Sequence, residues 1–515
     1  MKFPSTKDNP ALVIAFVRRA VTICICVVIA LVVAYWIGSG KMGYLKIVAG
    51  LLVVAVVCVG LQERAWVLIP MGWALVGSCL LIPFHFSFHD LGILLALAAY
   101  ISFRVLTHKD MRQPIHVLDA IVALLFINTV VDFVRNPAGV MVFGSEMIGG
   151  RPYFNVLLAV LAYWVIRRLP DSVKLASWIP YFVLVGTAVL AVLNTIVYVA
   201  PSTTPYVYML YGGVDYSEFA RSALAEVQVN RVSGTRDFGY FLILVLCGLY
   251  PPKTLFNPLR PRCYLFVLGI VLVLISGFRS TLLAAMATVA IASWIHEGWR
   301  GFVLAALAGG LLLAAVIAGH GRLYQLPMGV QRALSFLPGR WSQEVLTSAE
   351  ESSESRFQWW QRIIKEDVIK DWWFGDGFGV SEKDFQNINS QTTFFEWFTL
   401  TGGFHNGPLT AIRFAGIVGL VLFYIFMITA AIYAGKCVHL CRGTCLEPAA
   451  IFLALQLFWI PIEYTFVFGA YDSEMPNHVF LVALLLLVMR MAPRARAAAP
   501  VPRPAKLITP VPAVA

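Results

Sequence analysis

An all-α fold, a polytopic bundle of about 12 to 14 membrane-spanning helices joined on one side by a long polar loop, is predicted by three observations. The 515 residues are 59% hydrophobic and only 13% charged, with a mean hydropathy of +0.77, far from the balance of a soluble globular chain. Apolar runs long enough to cross a ~30 Å hydrocarbon core recur along the chain without the strict alternation that barrel strands need. A polar stretch from Gly321 to Gly403 leaves this pattern and is closed by Phe404-His405-Asn406-Gly407 at the start of the next apolar run.

Taken in order, the first apolar run, 20–37, follows Arg18 and Arg19. It exceeds a typical secretory h-region and more spans follow, so it is expected to be a retained anchor. Windows of roughly 19 residues give about fourteen candidate spans, at 20–38, 45–61, 65–83, 90–104, 117–134, 153–166, 175–199, 238–250, 263–277, 280–294, 301–319, 407–434, 449–469 and 477–490. The corresponding division is 1–174 for the N-terminal spans, 175–319 for a core with an outer loop at 201–236, 320–404 for the long outer loop, 405–491 for the C-terminal spans and 492–515 for a tail. That tail is rich in Ala, Pro and Arg and is expected to be disordered in the cytoplasm.

Lys and Arg concentrate in alternate connections, at Arg64, at Arg104 to Arg112, at Arg167 to Lys174, at Lys253 to Arg262, and at Lys436 and Arg442. The positive-inside rule then predicts cytoplasmic termini and puts 201–236, the break at Arg279 and 321–406 on the outer side. The net charge of +11 is accounted for by topology and attraction to anionic lipid, without nucleic acid as a partner. Of nine cysteines, Cys437, Cys441 and Cys445 share a helical face, but their spacing matches no common zinc or iron–sulfur pattern, and a small-residue helix end accounts for them.

Three outer segments carry the candidate chemistry. Arg231 and Arg236 flank a Ser233-Gly234 turn before a span, where a guanidinium can either point into a cavity or snorkel to the interface. Upstream, Ser217-Glu218-Phe219-Ala220 suggests a short interfacial helix. Ser276-Gly277-Phe278-Arg279-Ser280-Thr281 breaks two apolar runs and sets Arg279 at membrane depth, at the start of a helix. Backbone N–H groups beside a fixed cation suit a diphosphate; a structural tie between two helices is the alternative. In the long loop, a helix is expected from Ser355 to Trp373 with Phe357, Trp360, Ile364 and Val368, together with Trp359 and Ile363, on its apolar face, lying on the membrane or capping a cavity. Trp372 to Val380, with Gly375, Gly377 and Gly379, predicts a tight turn, since no phosphate-loop lysine follows.

His405 stands beside Asn406 at a span entrance, where it is either a general base or a polar cap. Glu463, inside an apolar run after Pro461, is suspicious because intramembrane carboxylates are costly. No paired carboxylates of the kind that hold a metal–diphosphate are visible, so no metal and no cofactor are expected.

Arg231-Val232-Ser233-Gly234-Thr235, Ser276-Gly277-Phe278-Arg279-Ser280, Ser355-Arg356 followed by Gly377-Phe378-Gly379, and His405-Asn406-Gly407-Pro408-Leu409 running to Gly416-Ile417-Val418-Gly419 together resemble the O-antigen ligase and polymerase superfamily, from about Leu175 to Ile432. The resemblance implies a GT-C-like, metal-independent, inverting glycosyltransferase of the bacterial inner membrane. Its donor is an undecaprenyl-diphosphate-linked glycan and its acceptor a glycan or glycolipid, with membrane lipids around it. It also implies that Arg231 and Arg279 bind the diphosphate and that His405 acts at the acceptor, with Arg236, Arg356, Asn406 and Glu463 as further substrate-binding candidates. Two departures stand out: Arg236-Asp237-Phe238-Gly239 replaces an Asn-Pro-Asn type of run, and Arg413-Phe414 occurs where an acidic residue is common. A polymerase using a second lipid-linked glycan remains open. So does a lipid-linked sugar transporter, although no inverted repeat is evident. A purely structural protein would have little use for an intramembrane Arg.

Overall fold

The computed structural model describes residues 60–75, 86–107, 113–139, 147–169, 172–212, 233–381 and 399–498, with isolated positions between 50 and 79. Arg231, the helix expected from Ser217 and the first two expected spans, apart from a few single positions, lie outside the described residues. The main helices are α1 (Phe88–Thr107), α2 (Val117–Arg135), α3 (Arg151–Arg168), α4 (Ile179–Val199), α5 (Ser233–Leu249), α6 (Pro261–Ile275), α7 (Arg279–Gly319), α8 (Gln343–Lys365), α9 (Gly407–Cys441), α10 (Glu447–Phe466) and α11 (Tyr471–Ala498). Among the described residues seven helices, α1, α2, α4, α7, α9, α10 and α11, are long and apolar enough to cross a membrane, and α6 is a shorter apolar helix. The protein is a multi-pass, all-α membrane bundle. Its strand content among those residues is a two-residue pair, β1 (Met147–Ile148) with β2 (Val380–Ser381), antiparallel.

Helices that are apolar all round gain little from burial against lipid, so they associate through close packing and internal polar contacts. Gly239 on α5 and Gly269 on α6 supply the first: a Cβ on Gly239 would lie 2.9 Å from the Gly269 carbonyl, and one on Gly269 would lie 3.1 Å from that of Gly239. Polar contacts close the basic end. His116 caps α2 by accepting from the Leu118 N–H while Asp119 accepts from the His116 N–H, a capping box that fixes where α2 begins. Arg167 binds Asp119 at 2.7 Å, and Arg490 donates to the carbonyls of Arg167 and Leu169.

Two long helices are broken, both at a glycine in the left-handed region. α7 has 41 residues and would be ~61 Å long if straight, twice a bilayer core. At Gly298 φ is 71°, and Gly301 packs against the carbonyl of Ser293. A straight helix would hold those two ~12 Å apart. The chain therefore turns back, giving the two antiparallel crossings expected at 280–294 and 301–319.

In α9 the break falls at Gly416, φ 68°. Tyr464 touches both Gly407, through a 2.6 Å hydrogen bond, and Phe423, at 5.1 Å between ring centroids. A straight helix would separate those residues by ~24 Å. The break strips the carbonyls of Arg413 and Phe414 and the N–H groups of Ile417 and Val418 of their helical partners. The turn 372–377 takes all four. Asp376 and Gly377 donate to the carbonyls of Arg413 and Phe414, and Ile417 and Val418 donate to those of Trp372 and Trp373. The glycines expected to make a tight turn make a plug. A Cβ on Gly375 would lie 2.6 Å from the backbone of Phe414 to Gly416. The acid for Arg413 also comes from the plug, Asp376 at 2.7 Å.

The C-terminal helix corrects one expectation. α11 continues through Pro493 to Ala498, beyond residue 491 where composition predicts a disordered tail. Ala492 and Ala495 are buried, and Arg496 donates to the His439 carbonyl at the end of α9. Tertiary packing overrides a composition with little apolar bulk.

The plug yields a stability prediction. Gly416→Val forces an unfavourable φ and aims a Cβ at 2.1 Å from the Trp373 carbonyl, so it should cost about 3 kcal/mol or more. Gly435→Ala, whose Cβ would meet the Phe458 ring at an ordinary 3.8 Å, should leave thermal unfolding in detergent essentially unchanged. Equal melting of the two variants would refute the plug's role.

Candidate active site

The site is assembled from helix ends. α9 begins at Gly407 with Asn406 as its N-cap, whose Oδ1 accepts from the Leu409 N–H at 3.0 Å. Asn406, expected to touch substrate, thus has a structural task as well. Just before it, His405 holds a left-handed backbone, φ 52°, a conformation costly for a non-glycine residue and found preferentially at functional sites. Gly407 fits under α10 because it lacks a side chain: a Cβ there would lie 2.3 Å from the Tyr464 carbonyl. Thr410 Oγ1 accepts from the Tyr471 N–H, so α10 and α11 both fix the entrance that presents His405.

The His405 ring lies 5.0 Å from that of Phe468. The Phe468 N–H in turn bonds the carbonyl of Glu463 at 2.9 Å, in the last turn of α10. Glu463 feels the charges of Arg236 and, on α11, Glu474; Asp472 adds to the same acidic group. Arg236 binds its neighbour Asp237 through Nε at 2.7 Å and stands 4.8 Å above the ring of Phe278. Phe278 is the N-cap residue of α7 and has no side-chain acceptor for the N–H groups of the first turn, which Arg279 opens. Arg236, Glu463, the Phe278–Arg279 break and His405 therefore stand on elements that meet at one end of the bundle.

The break is braced from below. Ser276 is fully buried and donates to the Val273 carbonyl at 2.6 Å, and Gly277 adopts φ 73°. The short helix Met328–Leu334 approaches so closely that a Cβ on Gly329 would lie 2.7 Å from the Ile275 carbonyl. It brings in Arg332, only 8% exposed, its Cδ 4.0 Å from where a Cβ on Gly277 would lie. Sequence reasoning missed this cation. Its one signal was a lone basic residue in the otherwise uncharged run from Val330 to Leu334.

Over His405 lies α8. It is longer at the front and shorter at the back than the helix expected from Ser355 to Trp373. It starts at Gln343, through an acidic section with no apolar period, and ends at Lys365. Asp367 takes φ 48° and the Val368 N–H reaches back to the Ile363 carbonyl, a Schellman-type stop. Trp360 donates its indole N–H to the Phe404 carbonyl at 2.8 Å, and Ile363 packs with Phe404 and Ile369. Phe357 and Ile364, expected on the same face, are exposed. One turn before Trp360, Arg356 acts on His405 electrostatically. Burial first, and the Arg356 charge second, push the His405 pKa down to about 4, so the imidazole is neutral at physiological pH.

That ordering of causes is testable. Arg356→Gln should raise the His405 pKa, yet leave it below the ordinary histidine value, because burial is the larger cause. Histidine-labelled NMR, with the signal assigned by its loss in His405→Gln, would measure it. A pKa unchanged by Arg356→Gln would break the proposed pairing.

Residues 264–424 match a protein-family model described as O-antigen ligase. The match takes in the α6–α7 break, α8, the plug and the His405 entrance, whereas Arg236 precedes it and Glu463 follows it. A search of curated proteins finds no match. The segment built around the two broken helices, residues 264–424 of this multi-pass membrane protein, is thus similar to O-antigen ligase domains.

Proposed function

We infer that the protein transfers a glycan from an undecaprenyl-diphosphate-type carrier to an acceptor hydroxyl at the outer face of a bacterial inner membrane, with both termini in the cytoplasm. One observation carries this reading: a stacked cation, Arg236, links the Arg279 break to Glu463, whose neighbour Phe468 lies on the neutral imidazole of His405. Support for the orientation comes from charge. Arg104, Arg167, Arg168, Lys253, Arg262, Lys436 and Arg490 belong to the ends of helices opposite this mouth, as the positive-inside rule asks of a cytoplasmic face.

In the proposed reaction the acceptor oxygen attacks the anomeric carbon while the bond to the carrier diphosphate breaks, and one displacement inverts the centre. The acceptor proton passes to His405. The negative charge developing on the diphosphate is met by Arg279 and Arg236, and the resemblance gives Arg231 the same role. Fixed cations aimed where charge develops lower the barrier without a metal. A base with a pKa near 4 is weak at neutral pH. An arriving diphosphate offsets the field of Arg356 and raises the proton affinity of the imidazole when it is needed. α8, docked through Trp360, would keep water from competing.

Purified protein in vesicles with a lipid-diphosphate glycan tests this. Arg279→Ala and His405→Ala should each lower kcat by about 100-fold or more; transfer within about threefold of wild type in both would sink the mechanism. Because the neutral imidazole is the active form, kcat/KM should fall as pH drops through about 4. The acidic limb of kcat, reporting the donor complex, should lie higher. Coincident limbs would remove the substrate-coupled base.

A further inference from the structure

Away from the mouth, an open cavity of about 650 Å³ lies between α2 and α3, within the range of ligand pockets, ~300–1,000 Å³. Its wall is almost wholly apolar, from Phe126, Val130 and Phe133 on α2 and Phe154 and Leu157 on α3. α2 is a membrane-spanning helix by length and composition, and Val130 and Leu157 are exposed on its flank and on that of α3. The cavity therefore faces the hydrocarbon, where no polar ligand would enter and an aliphatic chain would. At its edge stands Arg151, its guanidinium 5.3 Å from the centre of the Phe154 ring. One Nη is bound to the buried carboxylate of Asp90. A guanidinium has five donors, and 42% of this side chain is exposed, so donors remain for a second anion.

We propose that this cavity binds one acyl chain of an anionic membrane phospholipid, with the phosphate on Arg151. Apolar grooves between spanning helices with a basic rim are suited to such lipids. The carrier of the transfer reaction is the poorer occupant, because the cations assigned to its diphosphate stand on α5 and α7, whereas α2 and α3 pack on α9 and α11. The site is also connected to the plug. Tyr153, in the cavity wall, accepts the Phe378 N–H on its hydroxyl at 3.2 Å, and a Cβ on Gly377 would lie 2.6 Å from that oxygen. A chain seated against Tyr153 steadies the turn that fills the break in α9.

The test is photolabelling of the full chain in phosphatidylcholine nanodiscs containing phosphatidylglycerol with a diazirine in mid-chain, mapped by mass spectrometry. Adducts should concentrate in 126–133 and 153–157. Val130→Trp with Leu157→Trp, which fills the cavity from exposed positions, should cut them at least fivefold while unfolding in detergent stays unchanged. A phosphatidylcholine probe on the unmodified protein should label at least threefold less. His405→Ala should label like wild type, so failure of the transfer mechanism would not affect the result. Labelling spread evenly along the bundle, equal labelling by both headgroups, or displacement of the label by a polyprenyl diphosphate would each overturn the proposal.

Discussion

The break in α9 is the constraint on which the rest of the structure depends. An α-helix interrupted in a bilayer leaves carbonyls and N–H groups that no water can satisfy, each costing several kcal/mol. Here they are answered by a turn drawn from the polar stretch, so that stretch is welded into the bundle at 372–377. The weld has its own supports. Asp371 accepts from the Trp373 and Phe374 N–H groups and from Arg135 at the end of α2. Those donors, the Phe374 N–H foremost, hold its carboxyl below the usual range. Asp376 accepts from the Lys370 and Asp371 N–H groups while neutralising Arg413. Removing one partner from such a poorly exposed ion pair costs ~3–5 kcal/mol.

Much of this was legible where the signal is local. Run length and hydropathy identify the spans; Ser276-Gly277 announces the break before Arg279; Asn406 is a recognisable N-cap ahead of Gly407-Pro408. The pairing of Asp376 with Arg413 was not legible, since it joins residues distant in sequence. Arg413 looked like a departure from an acidic pattern, yet the acid it needs arrives on the plug. The early start of α8 was hidden because, after Val345 and Leu346 pack onto the core, residues 347 to 354 hold Ala349 as their one apolar side chain and carry no apolar period. The helical end of α11 was hidden for the opposite reason: small alanines bury well against a neighbour but score as weak core. Arg332 was missed because burial of a cation is a property of packing.

At the mouth, cations and carboxylates alternate. Arg236 has Asp237 and Glu463 within its field, and Arg356 faces a neutral imidazole. The arrangement balances the resting charge in a region of low dielectric. His405 and the arginines stand on separate elements, so the position of His405 relative to them is set by packing at Gly407, Tyr464 and Thr410.

The reversal at Gly298 has a topological consequence. Because α7 crosses and recrosses, its two arms contribute no net change of side, and the polar stretch re-emerges where Arg279 entered. The hairpin is neutral in parity. A chain that lost or gained such a pair of crossings would still carry the residues on either side of it to the same face of the membrane.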